Sequence, residues 1–119
     1  MAWNLDSDRS IYLQIIEIIQ KRIITGTYKP GSRLDSVRDL AQEAGVNPNT
    51  MQRALGELER TGIIRTERTS GKFVTEDENM IEELRMKLAE ETLNRMLSKM
   101  EELGFSKSEV EELIRRTER

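Results

Sequence analysis

Apolar positions recur at helical spacing from the start of the chain. Ile11, Ile15, Ile18 and Ile19 mark one face of a helix predicted from Ser10 to about Thr25, and Gly26 stops it. Leu13, Ile16, Ile23 and Ile24 widen that stripe beyond what one core contact needs, so a second surface is expected to pack on it. Pro30-Gly31 reads as a turn and Arg33-Leu34 as a very short strand. Ser36 then precedes a short second helix with Val37, Leu40 and Ala41 inward and Gly45 at its end. Asn47-Pro48 is the clearest local signal, because Asn caps helices well and Pro is preorganised for the first helical position. The third helix starts there, buries Met51, Ala54, Leu55 and Leu58, and closes at Gly62. Its opposite side carries Asn49, Arg53, Gly56 and Arg60, with Gln52 at the edge.

The period then changes. Ile63-Ile64-Arg65-Thr66 and Gly71-Lys72-Phe73-Val74-Thr75 read as two strands of a hairpin around Glu67-Arg68-Thr69-Ser70. Residues 77–103 return to helical spacing, with Ile81, Leu84, Leu88, Met96, Met100 and Leu103 on one broad stripe. Gly104-Phe105 breaks that helix. Ser106 and Glu109 have capping-box spacing, and Val110, Leu113 and Ile114 supply the apolar side of a last short helix.

Composition narrows the chemistry. The 119 residues contain no Cys and no His, which excludes disulfides, thiolate or imidazole metal sites and the commonest nucleophile and base systems. No catalysis, metal or cofactor is expected. The first residues lack the basic and apolar regions of a signal peptide, and no membrane span is apparent, so a cytoplasmic protein without a membrane partner is expected. The net charge of −3 conceals an asymmetry: residues 1–75 carry 11 Lys/Arg against 9 Asp/Glu, whereas residues 76–119 carry 8 against 13. A slightly basic head that meets phosphate and an acidic tail that does not would be divided in this way. Gly71-Lys72 is not a nucleotide loop, since Phe73 stands where Ser or Thr is needed and Thr66 where the first glycine belongs. The pairs Glu82-Glu83, Glu90-Glu91, Glu101-Glu102 and Glu111-Glu112 alternate with Lys and Arg and read as a solvated face.

The second and third helices are joined by only Gly45, Val46 and Asn47, the short glycine-containing connection of a helix-turn-helix, and a hairpin follows. The fold class expected is mainly α with a small β-hairpin: a winged helix-turn-helix at residues 1–75 and a two-helix dimerisation tail at 76–119. Such a unit suits DNA, since its second helix fits the major groove and presents its N-terminal residues to base edges. A winged-helix protein-interaction module without DNA binding is the competing reading, favoured by the negative net charge and by Asp35.

Several stretches, taken in order, resemble one family. Ile11-Tyr12-Leu13-Gln14-Ile15 is followed by Gly26, Pro30-Gly31, Leu34, Ser36, Arg38 and Leu40-Ala41. Val46-Asn47-Pro48-Asn49-Thr50, Ala54, Leu58, Gly62 and Gly71-x-Phe73-Val74 come next. Over residues 10–75 this is similar to the GntR family of bacterial transcription regulators, and the short tail resembles the YtrA-like branch. The resemblance implies a homodimeric repressor on a double-stranded, palindromic DNA operator. It implies frequent association with ABC-transporter genes, and leaves open an unidentified small-molecule effector at the dimer interface or between tail and head. It assigns DNA contact to Arg38 near the start of the second helix and to Asn49, Thr50 and Gln52 on the recognition helix, and keeps Arg68 and Gly71 in the wing; the helix starts and the outward face of the third helix add Ser36, Asn47 and Arg53 as expected contacts. Dimerisation is expected from Ile81, Leu84, Leu88, Met96, Met100, Leu103, Val110, Leu113 and Ile114. Three positions depart from the pattern: Asp35 replaces the usual proline, Pro48 a groove-reading arginine, and Thr69 the first wing glycine.

Overall fold

The helices start where side chains close their first turns. Ser10 Oγ accepts the Leu13 N–H at 3.2 Å, Ser36 Oγ the Asp39 N–H at 3.1 Å, and Asn47 Oδ1 the Asn49 N–H at 2.7 Å. The computed structural model, which describes residues 3–119, accordingly contains α1 (Ile11–Ile24), α2 (Val37–Ala44) and α3 (Pro48–Arg60). These are followed by β1 (Ile64–Glu67), β2 (Gly71–Val74), α4 (Glu78–Glu102) and α5 (Lys107–Arg116). The left-handed backbone at Gly45, φ +74°, lets the chain leave α2 and begin α3 within three residues.

The chain divides into two compact units, one ending at Glu82 and the other running from Glu83 to Arg119. In the first, α3 packs against both α1 and α2, and against β1. Met51, Ala54, Leu55 and Leu58 of α3 meet a core completed by Leu40, Ala41, Ala44, Ile63, Ile64 and Val74. The α1 contribution differs in one respect from the expected face: Ile15, Ile19 and Ile23 are buried, while Ile11 and Ile18 are only half-buried. The i+4 row forms the ridge that enters the core, which brings Ile23 in at the expense of Ile18. Leu13 remains 53% exposed on the outer side of α1.

β1 and β2 pair antiparallel, Ile64 opposite Val74 and Glu67 opposite Gly71. The short strand expected at Arg33-Leu34 is present as a bridge from Arg33 to Phe73, held by Leu34 N–H donating to the Lys72 carbonyl at 2.8 Å. Lys72 Nζ forms an ion pair with Glu59 of α3 and thereby ties the hairpin to the C-terminal end of that helix.

In the second unit the capping box is complete: the Glu109 N–H donates to Ser106 Oγ, and Glu109 Oε1 accepts the Ser106 N–H. Val110 is buried, Leu113 half-buried and Ile114 exposed. Among the described residues none on α4 is buried. Ile81, Leu84, Leu88 and Met100 are half-buried, whereas Met96 and Leu103 are exposed together with Met86 and Leu93, which lie off the expected stripe. Among the described residues no helix is long and apolar enough to cross a membrane.

Candidate nucleic-acid interface

The residues expected to meet DNA fall on the first turns of α2 and α3 and on the hairpin. Ser36 and Arg38 lie at the start of α2, and Arg38 is exposed. Asn47, Asn49 and Gln52 are exposed and Thr50 is half-buried, all within the first turns of α3. Because Pro48 has no N–H and Asn47 satisfies that of Asn49, the helix begins without strain and presents the positive end of its dipole. Arg68 is exposed in the three-residue hairpin loop, directly before the Gly71 strand.

Ion pairing separates the head's cations into two sets. Among the described residues Arg9, Arg22, Arg60, Arg65 and Lys72 are paired, with Glu17, Glu43, Glu57, Glu67 and Glu59 respectively. Arg65 also lies 3.6 Å from Glu76. The Arg60 guanidinium holds the Glu57 carboxyl below the ordinary glutamate value. Among the described residues the four arginines Arg33, Arg38, Arg53 and Arg68, like Lys21 and Lys29, have no carboxylate partner. Three of these four were assigned to DNA from the sequence. Arg33 was not, because only the folded wing shows where it lies.

Arg53 is exposed but it does not simply extend from the helix. Its guanidinium stacks on the Tyr12 ring of α1, 4.8 Å from the centroid. Such a cation–π contact orients a long side chain that solvent would otherwise leave mobile. Half-buried Tyr12 has this arginine as its ring partner. No periodicity signals that pairing, since the two residues lie on different helices.

Trp3 is another residue whose place could not be read from the sequence. It is 8% exposed, and its indole N–H donates to Glu43 Oε2 of α2 at 2.6 Å. Arg22 lies 4.6 Å from the Trp3 ring centroid and donates to the same Glu43 oxygen at 3.2 Å and to the Tyr28 hydroxyl at 2.7 Å. The indole hydrogen bond, with the Arg22 charge, lowers the Glu43 pKa against the opposing effect of burial. Buried Gln14 completes the attachment of the N-terminal segment: its Oε1 accepts the Asp6 N–H and its Nε2 donates to the Asp6 carbonyl, both at 2.7 Å. These contacts hold the segment, α1 and α2 as one support behind the exposed surface.

Three helices with a glycine-turned helix-turn-helix, a hairpin wing and unpaired arginines on the same head define the class, a winged helix-turn-helix DNA-binding protein. Residues 11–74 match the model of the gntR family of bacterial regulatory proteins. The chain is 42% identical to the uncharacterised HTH-type transcriptional regulator YhcF of Bacillus subtilis, over 94% of this chain and 93% of the relative. It is 36% identical to the HTH-type transcriptional repressor YtrA of the same organism, over 92% and 85%. A GntR family transcriptional regulator from Listeria monocytogenes superposes with a TM-score of 0.89 at 42% identity, covering 96% of this chain and all of that one. The DNA-binding domain of AraR in complex with operator ORX1 superposes at 0.54 with 26% identity, over 63% of this chain and 92% of that one. The chain belongs to the GntR family and is a DNA-binding transcriptional regulator.

Proposed function

We propose that the protein is a homodimeric repressor that binds a palindromic operator through residues 1–75 and dimerises through residues 76–119. The observation that carries the repressor reading is the similarity to the YtrA repressor over nearly the whole chain, tail included. In this reading α3 enters the major groove, where Asn49, Thr50, Gln52 and Arg53 address base edges. Ser36, Arg38 and Asn47 meet phosphate at the helix starts, and Arg68 and Gly71 bring the wing to the adjacent backbone or minor groove. The exposed apolar residues of the tail, Met86, Leu93, Met96, Leu103 (71% exposed) and Ile114, support a second subunit as their cover. Two-fold symmetry would then set two recognition helices about 34–36 Å apart, or a multiple of that distance. Control of ABC-transporter genes and a cytoplasmic location belong to the same reading.

Selection of bound duplexes from a random pool tests it together with light scattering. The expected result is an inverted repeat and a mass twice 13.8 kDa. A single unrepeated half-site bound by a monomer would overturn the dimeric mechanism. Transcription from a promoter carrying the recovered site should fall when the protein is added; activation instead would overturn repression.

A further inference from the structure

We propose that Arg33 is a DNA-phosphate contact at the wing, in addition to those the family resemblance assigns. The proposal rests on the DNA reading above and extends it to a residue outside the recognition helix and outside the hairpin. Arg33 lies three positions before Ser36, and its backbone is held against the hairpin by the bridge to Phe73. Its side chain runs along the wing toward the loop. A Cβ built on Gly71 would come within 3.2 Å of Arg33 Nε and 3.5 Å of its Nη2, so the guanidinium rests over the glycine that opens β2. Gly71 has φ +108°, a conformation other residues rarely adopt, and the missing side chain leaves the space that Arg33 occupies.

The charge distribution of the wing selects this residue. Of its four cations, Lys72 is neutralised by Glu59 and Arg65 by Glu67 and Glu76, and the Arg65 guanidinium also stacks 5.1 Å from the Phe73 centroid. Arg33 and Arg68 have no carboxylate partner among the described residues, although Asp35 is only two positions from Arg33. Both are exposed, one over the first residue of β2 and the other in the loop that precedes it. A guanidinium backed by peptide and free of a carboxylate keeps its donors for an external anion, and a DNA phosphodiester accepts them in bidentate fashion. Thr69 replaces a glycine at the loop, which denies the backbone a close approach there, and Arg33 restores reach with a long side chain. The contact joins the phosphate site at the start of α2 to the wing along one line of backbone.

The test is the salt dependence of binding, read by fluorescence anisotropy of a labelled duplex with the full-length protein. Each phosphate neutralised contributes about 0.9 to the slope of log affinity against log salt concentration. Arg33→Ala should therefore lower the slope by about 1 and weaken the operator and an unrelated duplex in equal proportion. Arg33→Lys should retain the slope, and Arg65→Ala, whose charge is already neutralised, should leave it unchanged. Arg33→Gln keeps a shorter polar side chain without the charge and tests whether polarity alone suffices; it should behave like the alanine variant. An unchanged slope in Arg33→Ala with a reduced slope in Arg68→Ala would remove Arg33 and leave the docked wing intact. Unchanged slopes in both would overturn the wing contact itself, and absence of binding by the unaltered protein to any duplex would overturn the DNA reading on which both rest.

Discussion

Asn47 is placed where stability and DNA affinity can be moved in opposite directions. Its side chain accepts the Asn49 N–H at 2.7 Å, closing the first turn of α3 without help from any other side chain among the described hydrogen bonds. Replacing it with alanine removes that cap and leaves the amide to water, at a cost of about 0.5–2 kcal/mol. For a unit the size of the head, each kcal/mol lowers Tm by about 4–8 °C. Asn47→Asp keeps an acceptor of the same shape and adds a negative charge at the positive end of the helix, contributing about 0.3–1 kcal/mol of stability. That same charge would face the DNA phosphates, and affinity should fall as stability is held or rises. The alanine variant should show the reverse ordering, reduced stability with a smaller loss of affinity. The chain's single tryptophan makes the measurement selective: Trp3 is buried in the head against α2, so its fluorescence follows unfolding of the head rather than the tail. Urea unfolding followed by Trp3 emission, beside anisotropy on the selected duplex, gives both quantities. Equal unfolding midpoints for Asn47→Ala and the unaltered chain would show that the cap does not secure α3. An Asp variant that binds DNA as tightly as the parent would show that this helix start does not approach phosphate.

The remaining predictions concern the same surface and its support. Arg38→Ala should weaken binding to all sequences and lower the salt slope by about 1, whereas Arg53→Ala should relax one base preference by about 1–3 kcal/mol. Binding selections on the two variants distinguish these outcomes, and Tyr12→Leu should reproduce part of the Arg53 loss if the ring orients the guanidinium. Gly56 lies on the exposed side of α3, where an added Cβ meets nothing within 4 Å, so Gly56→Ala should stabilise the head by about 1 kcal/mol while adding a methyl group toward the groove. A raised urea midpoint with weaker operator binding is the expected pair of results. Glu43 is held below its ordinary pKa, first by the Trp3 indole and then by Arg22. Glu59 is held low by hydrogen bonds from Lys72 and Thr66 that outweigh its burial. Both stabilise the head fully above the ordinary glutamate value, and that contribution is lost as pH falls through the lowered values. Trp3-monitored urea midpoints should drop on acidification, with a shallower drop in Glu43→Gln.

The local grammar of the chain was legible because its determinants act within one turn. Ser36, Asn47 and Ser106 cap amides two or three residues away, and Gly45 and Gly62 adopt positive φ where helices end. Such interactions need no tertiary context, and with the apolar spacing they determine three helices, a hairpin and a two-helix tail. The same locality made the helix-turn-helix recognisable, since its short connection lies between two self-evident caps. The side-chain environment of the surface followed different rules. Trp3 meets Glu43 forty positions away, Lys72 meets Glu59 of the preceding helix, Arg53 stacks on Tyr12, and Arg33 lies over Gly71. Counting charge along the chain could not separate Arg65, neutralised by its neighbours, from Arg33 and Arg68, which are not. The sequence by itself determined where each element begins, ends and turns an apolar side inward. The packing of those elements decided which side chains meet across them, Arg22 with Glu43, Lys72 with Glu59 and Arg53 with Tyr12, because such contacts depend on distances of a few ångströms between elements that the chain places far apart.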